Sequence, residues 1–128
     1  MTAETRTLPQ NANAFVASGE VTARPIGRIE GAKQADGLAI KPLMVGEGAL
    51  LVEVHRKAGL IDPEHVHPDH ESICYLVSGR MRVVIDGDEF IAEPGATWIH
   101  RPGVRHYHET LEDSVQIEIK SPPRKTWE

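Results

Sequence analysis

The chain has 128 residues, a formal net charge of -5, 26% charged residues and one cysteine, Cys74. That length suits a single domain with its own core, and one cysteine excludes an intramolecular disulfide framework or a cysteine-rich zinc site. The acidic balance, relieved only by the short run Pro123-Arg124-Lys125, argues against a nucleic-acid partner; without an apolar window near ~18 residues or a signal-like start, the expected compartment is a reducing cytoplasm, away from any membrane.

Residues 1–37 are rich in Thr, Ala, Asn and Gly. They read as an N-terminal arm with one or two short strands, a candidate for exchange into a partner subunit. From Leu38 the punctuation changes, with Gly- or Pro-bearing turns about every 8–12 residues between β-rich runs, which favours an all-β sandwich or barrel over βαβ units. The run Leu50–Arg56 alternates, with Leu50, Val52 and Val54 on one face. Ile73–Val77 and Arg80–Ile85 read as two strands across a Ser78-Gly79 turn, and Asp86-Gly87 is a two-residue hairpin signal.

Three further short strands follow, Glu89–Ala92, Thr97–His100 and Arg105–Glu109. Ser114–Lys120 alternates, and its apolar set, Val115, Ile117 and Ile119, is expected to face inward with Gln116, Glu118 and Lys120 outward. Pro122-Pro123 ends the sheet, because proline cannot donate to a ladder. The expected organisation is an arm over 1–37, a barrel over 38–120 and a tail over 121–128, with no amphipathic helix.

Seven histidines are the compositional anomaly. His65 and His67 would project from one face of a strand about 6.6 Å apart, within reach of one ion at ~2.0–2.1 Å. A single ion needs a further ligand, and a second cluster, His100, His106 and His108, follows some way on. A shell of imidazoles, with or without a carboxylate, suits a divalent transition metal, Fe, Mn, Ni, Zn or Cu, and selects poorly among them. His70 is expected in an exposed turn, and Cys74 as a buried strand cysteine.

The pattern Gly59-x5-His65-x-His67-x3-Glu71, followed by Gly79, resembles the first cupin motif. Gly95-x5-Arg101-Pro102-Gly103-x2-His106-x3-Thr110 resembles the second, with Arg101 in place of the usual proline and Thr110 in place of the asparagine. The resemblance implies a single-domain cupin-type β-barrel, a double-stranded jelly roll, with His65, His67 and His106 as metal ligands. It leaves the fourth ligand open. Counting from His67 gives Glu71, whereas counting back from Gly79 gives Ser72, a poor metal ligand. Glu71, His108 and Tyr107 are the candidates for moving protons.

Such a protein would be a metal-dependent enzyme of dioxygenase, isomerase or lyase type acting on a small oxygenated substrate. The competing reading is a non-catalytic small-molecule binder or sensor whose metal is structural or absent. The resemblance also implies a homodimer.

Overall fold

The computed structural model describes residues 6–128. Nine strands follow a 3-10 turn at Ser18–Glu20: β1 (Arg24–Pro25), β2 (Arg28–Ile29), β3 (Ala32–Lys33), β4 (Leu38–Val45), β5 (Leu50–Arg56), β6 (Glu71–Ile85), β7 (Asp88–Ala92), β8 (Thr97–His100) and β9 (His106–Ser121). All pairings are antiparallel. The main sheet runs β1-β4-β5-β9-β6-β7, with β8 on the first part of β6, and β2-β3 form a separate hairpin.

The expected all-β architecture is present, with two changes in its strands. The runs predicted at 73–77 and 80–85 are one strand, β6, and those at 105–109 and 114–120 are one strand, β9. Ser78-Gly79 is a set of register shifts inside the β6-β9 pair rather than a turn. Extra residues there bend both strands without ending the ladder. This lets β6 pair with β8 through Ser72–Tyr75 and with β7 through Met81–Ile85. Gly79 has φ +94, and a Cβ there would collide with Ser114 Oγ and the Asp113 carbonyl. The expected hairpin turn forms at Asp86-Gly87, both at positive φ.

Two apolar clusters carry the packing. One joins Ile26, Leu38, Ile40, Leu50, Val52, Val54, Leu60 and Trp127; the other joins Leu76, Met81, Val83 and Ala92. At ~25 cal/mol per Å2 of apolar surface removed from water, each fully buried Leu, Ile or Val contributes about 1.5–3 kcal/mol. The arm packs on its own barrel: Ile26 enters the first cluster and Asn11 bonds the backbone of Val45.

The inward face of β9 reverses the sequence expectation. Ser114, Gln116, Glu118 and Lys120 are buried, while Val115 and Ile117 are half-buried and Ile119 is exposed. Alternation gives two faces, but polarity misassigns them because the barrel interior at this level is polar. Polar residues are tolerated there because they bond one another: Lys120 Nζ lies 3.2 Å from both Ser72 Oγ and Glu118 Oε1, and Arg56 Nε donates to Gln116 Oε1 at 3.0 Å.

Candidate metal centre

Pro63 and Pro68 keep the segment between β5 and β6 from becoming a regular strand. It still tracks the start of β9. Gly59 N–H donates to the Thr110 carbonyl at 2.7 Å and Asp62 N–H to the His108 carbonyl at 3.1 Å. His65 and His106 exchange backbone bonds at 3.0 Å in both directions. This pairing places His65 and His67 beside His106, with ring centroids 4.3 Å apart for His65–His106 and 4.8 Å for His67–His106. The potential ligand nitrogens of His65, His67 and His106 all lie within 4.8 Å of one another.

The tautomers are set by what each Nδ1 touches. His65 Nδ1 faces the Pro63 carbonyl at 2.8 Å, and His106 Nδ1 the Val104 carbonyl at 3.1 Å. His67 Nδ1 faces Glu30 Oε1 at 3.1 Å, and His108 Nδ1 faces Asp62 Oδ2 at 3.0 Å. Carbonyls and ionised carboxylates only accept, so each Nδ1 carries the proton and each neutral ring keeps its lone pair on Nε2. The Nε2 atoms of His106 and His108 are buried and have no protein partner.

Burial pushes the His65, His67 and His106 pKa values down, His106 to about 3, and neighbouring positive charge on Lys120 or a fellow histidine adds to the effect. Neutral imidazoles are the form a metal takes. Each orphaned buried nitrogen costs about 1–3 kcal/mol, which coordination would recover. The donor set therefore fits a divalent transition metal held by His65, His67 and His106.

Asp62 and His108 form a dyad beside these ligands. Asp62 Oδ1 accepts the His108 backbone N–H at 2.5 Å while Oδ2 holds the ring, and Arg56 Nη1 stands 3.5 Å from the same carboxylate. Burial opposes ionisation of Asp62, but His108 and Arg56 outweigh it and hold the carboxyl well below its usual range. Opposite, His100 stacks on His106 with centroids 3.6 Å apart and planes 9° from parallel. Neither His100 ring nitrogen has a hydrogen-bond partner, Nδ1 standing 4.0 Å from Glu118 Oε1, and His67, His100 and Glu118 make a second group with ligating atoms within 4.8 Å. Burial would raise Glu118, yet the Lys120 ammonium 3.2 Å away holds it well below the carboxylate range. These groups line one small cavity of about 30 Å3, with room for roughly two waters.

The sequence-predicted residues divide accordingly. His65, His67, His106 and His108 come together. Glu71 does not join them: β6 alternates, Ser72 points inward and is fully buried, and Glu71 stands on the opposite, outer face. The slot beside the ligands is thus occupied by Ser72, which Lys120 engages and which lies directly across the ladder from His100. Tyr107 likewise projects from the outer face of β9, with the Arg82 guanidinium 5.5 Å from its ring centroid. His70, expected in solvent, is 1% exposed; it sits under the Pro68-Asp69 bend, with Nδ1 2.9 Å from Asp69 Oδ1 and its ring 4.6 Å from that of His67. Cys74 is buried as expected, and burial pushes its thiol pKa well up.

His100 was singled out only as part of the second histidine cluster, and Asp62, Glu30, Glu118 and Lys120 escaped sequence reasoning. Asp62 lies three residues before His65 and was open to a positional guess; the others needed the fold.

The cupin-domain family profile matches residues 51–119, more than half of the chain. The chain is a cupin. No curated protein matches this cupin in sequence. Its fold is that of KdgF from a Halomonas species, at TM-score 0.79 and 23% identity, covering 89% of this chain and 97% of that one. A RmlC-like cupin from Shewanella frigidimarina matches at 0.77 and 22%, covering 89% and 95%. A predicted oxalate decarboxylase from Thermotoga maritima matches at 0.73 and 18%, covering 84% and 98%. At these identities the likeness extends to the fold. No helix among the described residues is long and apolar enough to cross a membrane.

Proposed function

We propose that this cupin is a metal-dependent enzyme that moves a proton on a small oxygenated substrate, in an isomerase- or lyase-type reaction. The observation that carries the reading is the His108–Asp62 dyad, whose unpartnered Nε2 is buried beside the three-histidine centre. When bound at His65, His67 and His106, a divalent metal supplies Lewis acidity toward a substrate oxygen. Asp62 fixes the His108 ring with its proton on Nδ1, so Nε2 accepts a proton from a substrate C–H or O–H and returns it elsewhere. Lys120 and Arg56, each neutralised by a carboxylate, offer N–H donors to hydroxyl or carbonyl groups without a strong net field.

The dyad, a neutral imidazole oriented by a carboxylate, is the arrangement of a general base, and proton transfer is the reading it supports. Glu71 and Tyr107, both on outer faces, have no part in the reading. Among structural neighbours, the predicted oxalate decarboxylase keeps enzymatic chemistry within what the fold hosts. The test is to strip the protein of metal, reload it with Fe, Mn, Ni, Zn or Cu in turn, and screen small hydroxy and carbonyl compounds for solvent-deuterium exchange. Exchange that needs metal and disappears in His108→Gln supports the reading. Full exchange in the metal-free protein, or in His108→Gln, defeats it; tight ligand binding without exchange favours the binder or sensor.

We further propose a cytoplasmic homodimer. A row of apolar side chains, Leu51, Ile119, Ile73 and Ile99, crosses β5, β9, β6 and β8 on the outer face, beside exposed Tyr75 and Val77. A continuous apolar row of this kind suits the self-complementary face of a twofold dimer.

A further inference from the structure

We propose that Glu30 is a positioning residue of the metal centre, and that the N-terminal strap carrying it makes metal loading depend on the strap being docked. The inference rests on His65, His67 and His106 being ligands. Two of these three take their Nδ1 acceptor from the backbone two residues away, Pro63 for His65 and Val104 for His106. Folding of the local segment alone orients them. His67 differs, because its acceptor is the carboxylate of Glu30, 37 residues earlier and outside the barrel strands.

Glu30 sits at an unfavourable backbone position. It is the first residue of the two-residue turn between β2 and β3, at φ 48 with Gly31 at φ 81. Such turns favour Asn, Asp or Gly, and glutamate is a poor choice for the turn itself. Its side chain accounts for its presence. Arg6 Nη1 and Nη2 fork onto Glu30 Oε2 and Oε1 at 2.8 and 2.9 Å, and Oε1 also receives His67 Nδ1–H. The carboxylate is nearly buried, 10% exposed.

The strap is held at both ends. Arg6 also reaches Asp69 Oδ1 and Oδ2 at 2.9 and 3.1 Å, in the bend that follows His67. Glu30 N–H donates to the Thr126 carbonyl at 2.7 Å, and Ile29 bridges Trp127. Ile29, Thr126 and Trp127 also line the cavity. Lifting the strap therefore opens the cavity wall and releases the His67 ring in one movement. By linkage, a metal that binds better with His67 oriented holds the strap down to the same degree.

The test uses the full chain and its Glu30→Gln, Glu30→Ala and Arg6→Ala variants. Zn2+ affinity is measured by chelator competition, and histidine tautomers by long-range 1H–15N NMR on metal-free protein. Glu30→Ala should weaken Zn2+ by about 10- to 100-fold and mix the His67 tautomers, while His65 and His106 keep Nδ1–H. Glu30→Gln, which retains an acceptor oxygen and the side-chain shape, should lose less on both readouts. Arg6→Ala should weaken Zn2+ in the wild-type background and add nothing to Glu30→Ala. Wild-type affinity in Glu30→Ala with an unchanged His67 tautomer overturns the proposal. If the wild type takes up no Zn2+, the loading claim falls together with the metal reading, and the tautomer measurement alone decides whether Glu30 orients His67.

Discussion

Replacing Asp62 by Asn tests the dyad, the ion pair and the electrostatics of the cavity together. The substitution keeps the shape, and its amide oxygen still accepts the His108 backbone N–H. The other arm, however, turns from acceptor to donor. It faces His108 Nδ1 at 3.0 Å and Arg56 Nη1 at 3.5 Å, both donors to the wild-type carboxylate. Arg56 and Asp62 side chains are 7% and 3% exposed, so water cannot take over. Breaking one side of a buried pair costs about 3–5 kcal/mol, and the retained shape and backbone bond place this case near ~3 kcal/mol. For a 128-residue domain that is a fall of about 11 °C in Tm.

His108 should respond by moving its proton to Nε2, because Nδ1 must now accept. The pH dependence has a defined sign. The folded-state pKa of Asp62 is depressed, so its contribution is complete above the unfolded value of about 3.9 and is lost as pH falls toward the folded one. The part of the stability gap that comes from the Asp62 carboxylate should therefore shrink as pH falls below about 3.9. Urea denaturation across pH gives the gap, and NMR gives the tautomer. A gap under 1 kcal/mol with an unchanged His108 tautomer would refute the reasoning.

Two further changes probe the scaffold. Gly79→Ala meets both a left-handed φ of +94 and the Asp113 and Ser114 backbone, which cannot swing aside; a loss of more than ~3 kcal/mol is expected in urea titration, and a loss under 1 kcal/mol would mean that the bulge relaxes. Tyr75→Glu places a charge on the outer apolar face, where Tyr75 is 47% exposed, and should convert a dimer to monomer in sedimentation velocity with little change in the far-UV spectrum; a wild type that is already monomeric would end the dimer proposal.

The strands were legible because their boundaries carry chemistry of their own. Asp86-Gly87 demands a two-residue turn, Pro-Gly pairs end β7 and β8, and the resemblance to the cupin motifs implied His65, His67 and His106 as ligands. What stayed hidden follows from two physical facts. Alternation fixes which residues share a face but not which face is inside, so the polar lining of β9 was assigned outward, and Glu118 and Lys120 with it. Contacts across 24 to 63 residues, such as Arg6 with Glu30 and Asp69, leave no local pattern at all. The extra residue before Gly79 was visible, yet only the pleat of β6 shows that it turns Glu71 away and leaves Ser72 within.

The reversed faces of β9 bear on how the chain reaches its native state. A slip of one residue along β6 would carry Val115, Ile117 and Ile119 indoors, the arrangement that burial of apolar surface alone favours. The native register thus competes with a decoy of similar backbone pairing, a local frustration in an otherwise cooperative sheet. Against the decoy stand the Asp86-Gly87 turn, the close approach of Gly79 to Ser114, and the bonds among Ser72, Glu118 and Lys120. Only one of the two registers presents His106 and His108 to the cavity. A metal held by His65, His67 and His106, as proposed, would bind that register and not the other, and so would favour the native one by mass action.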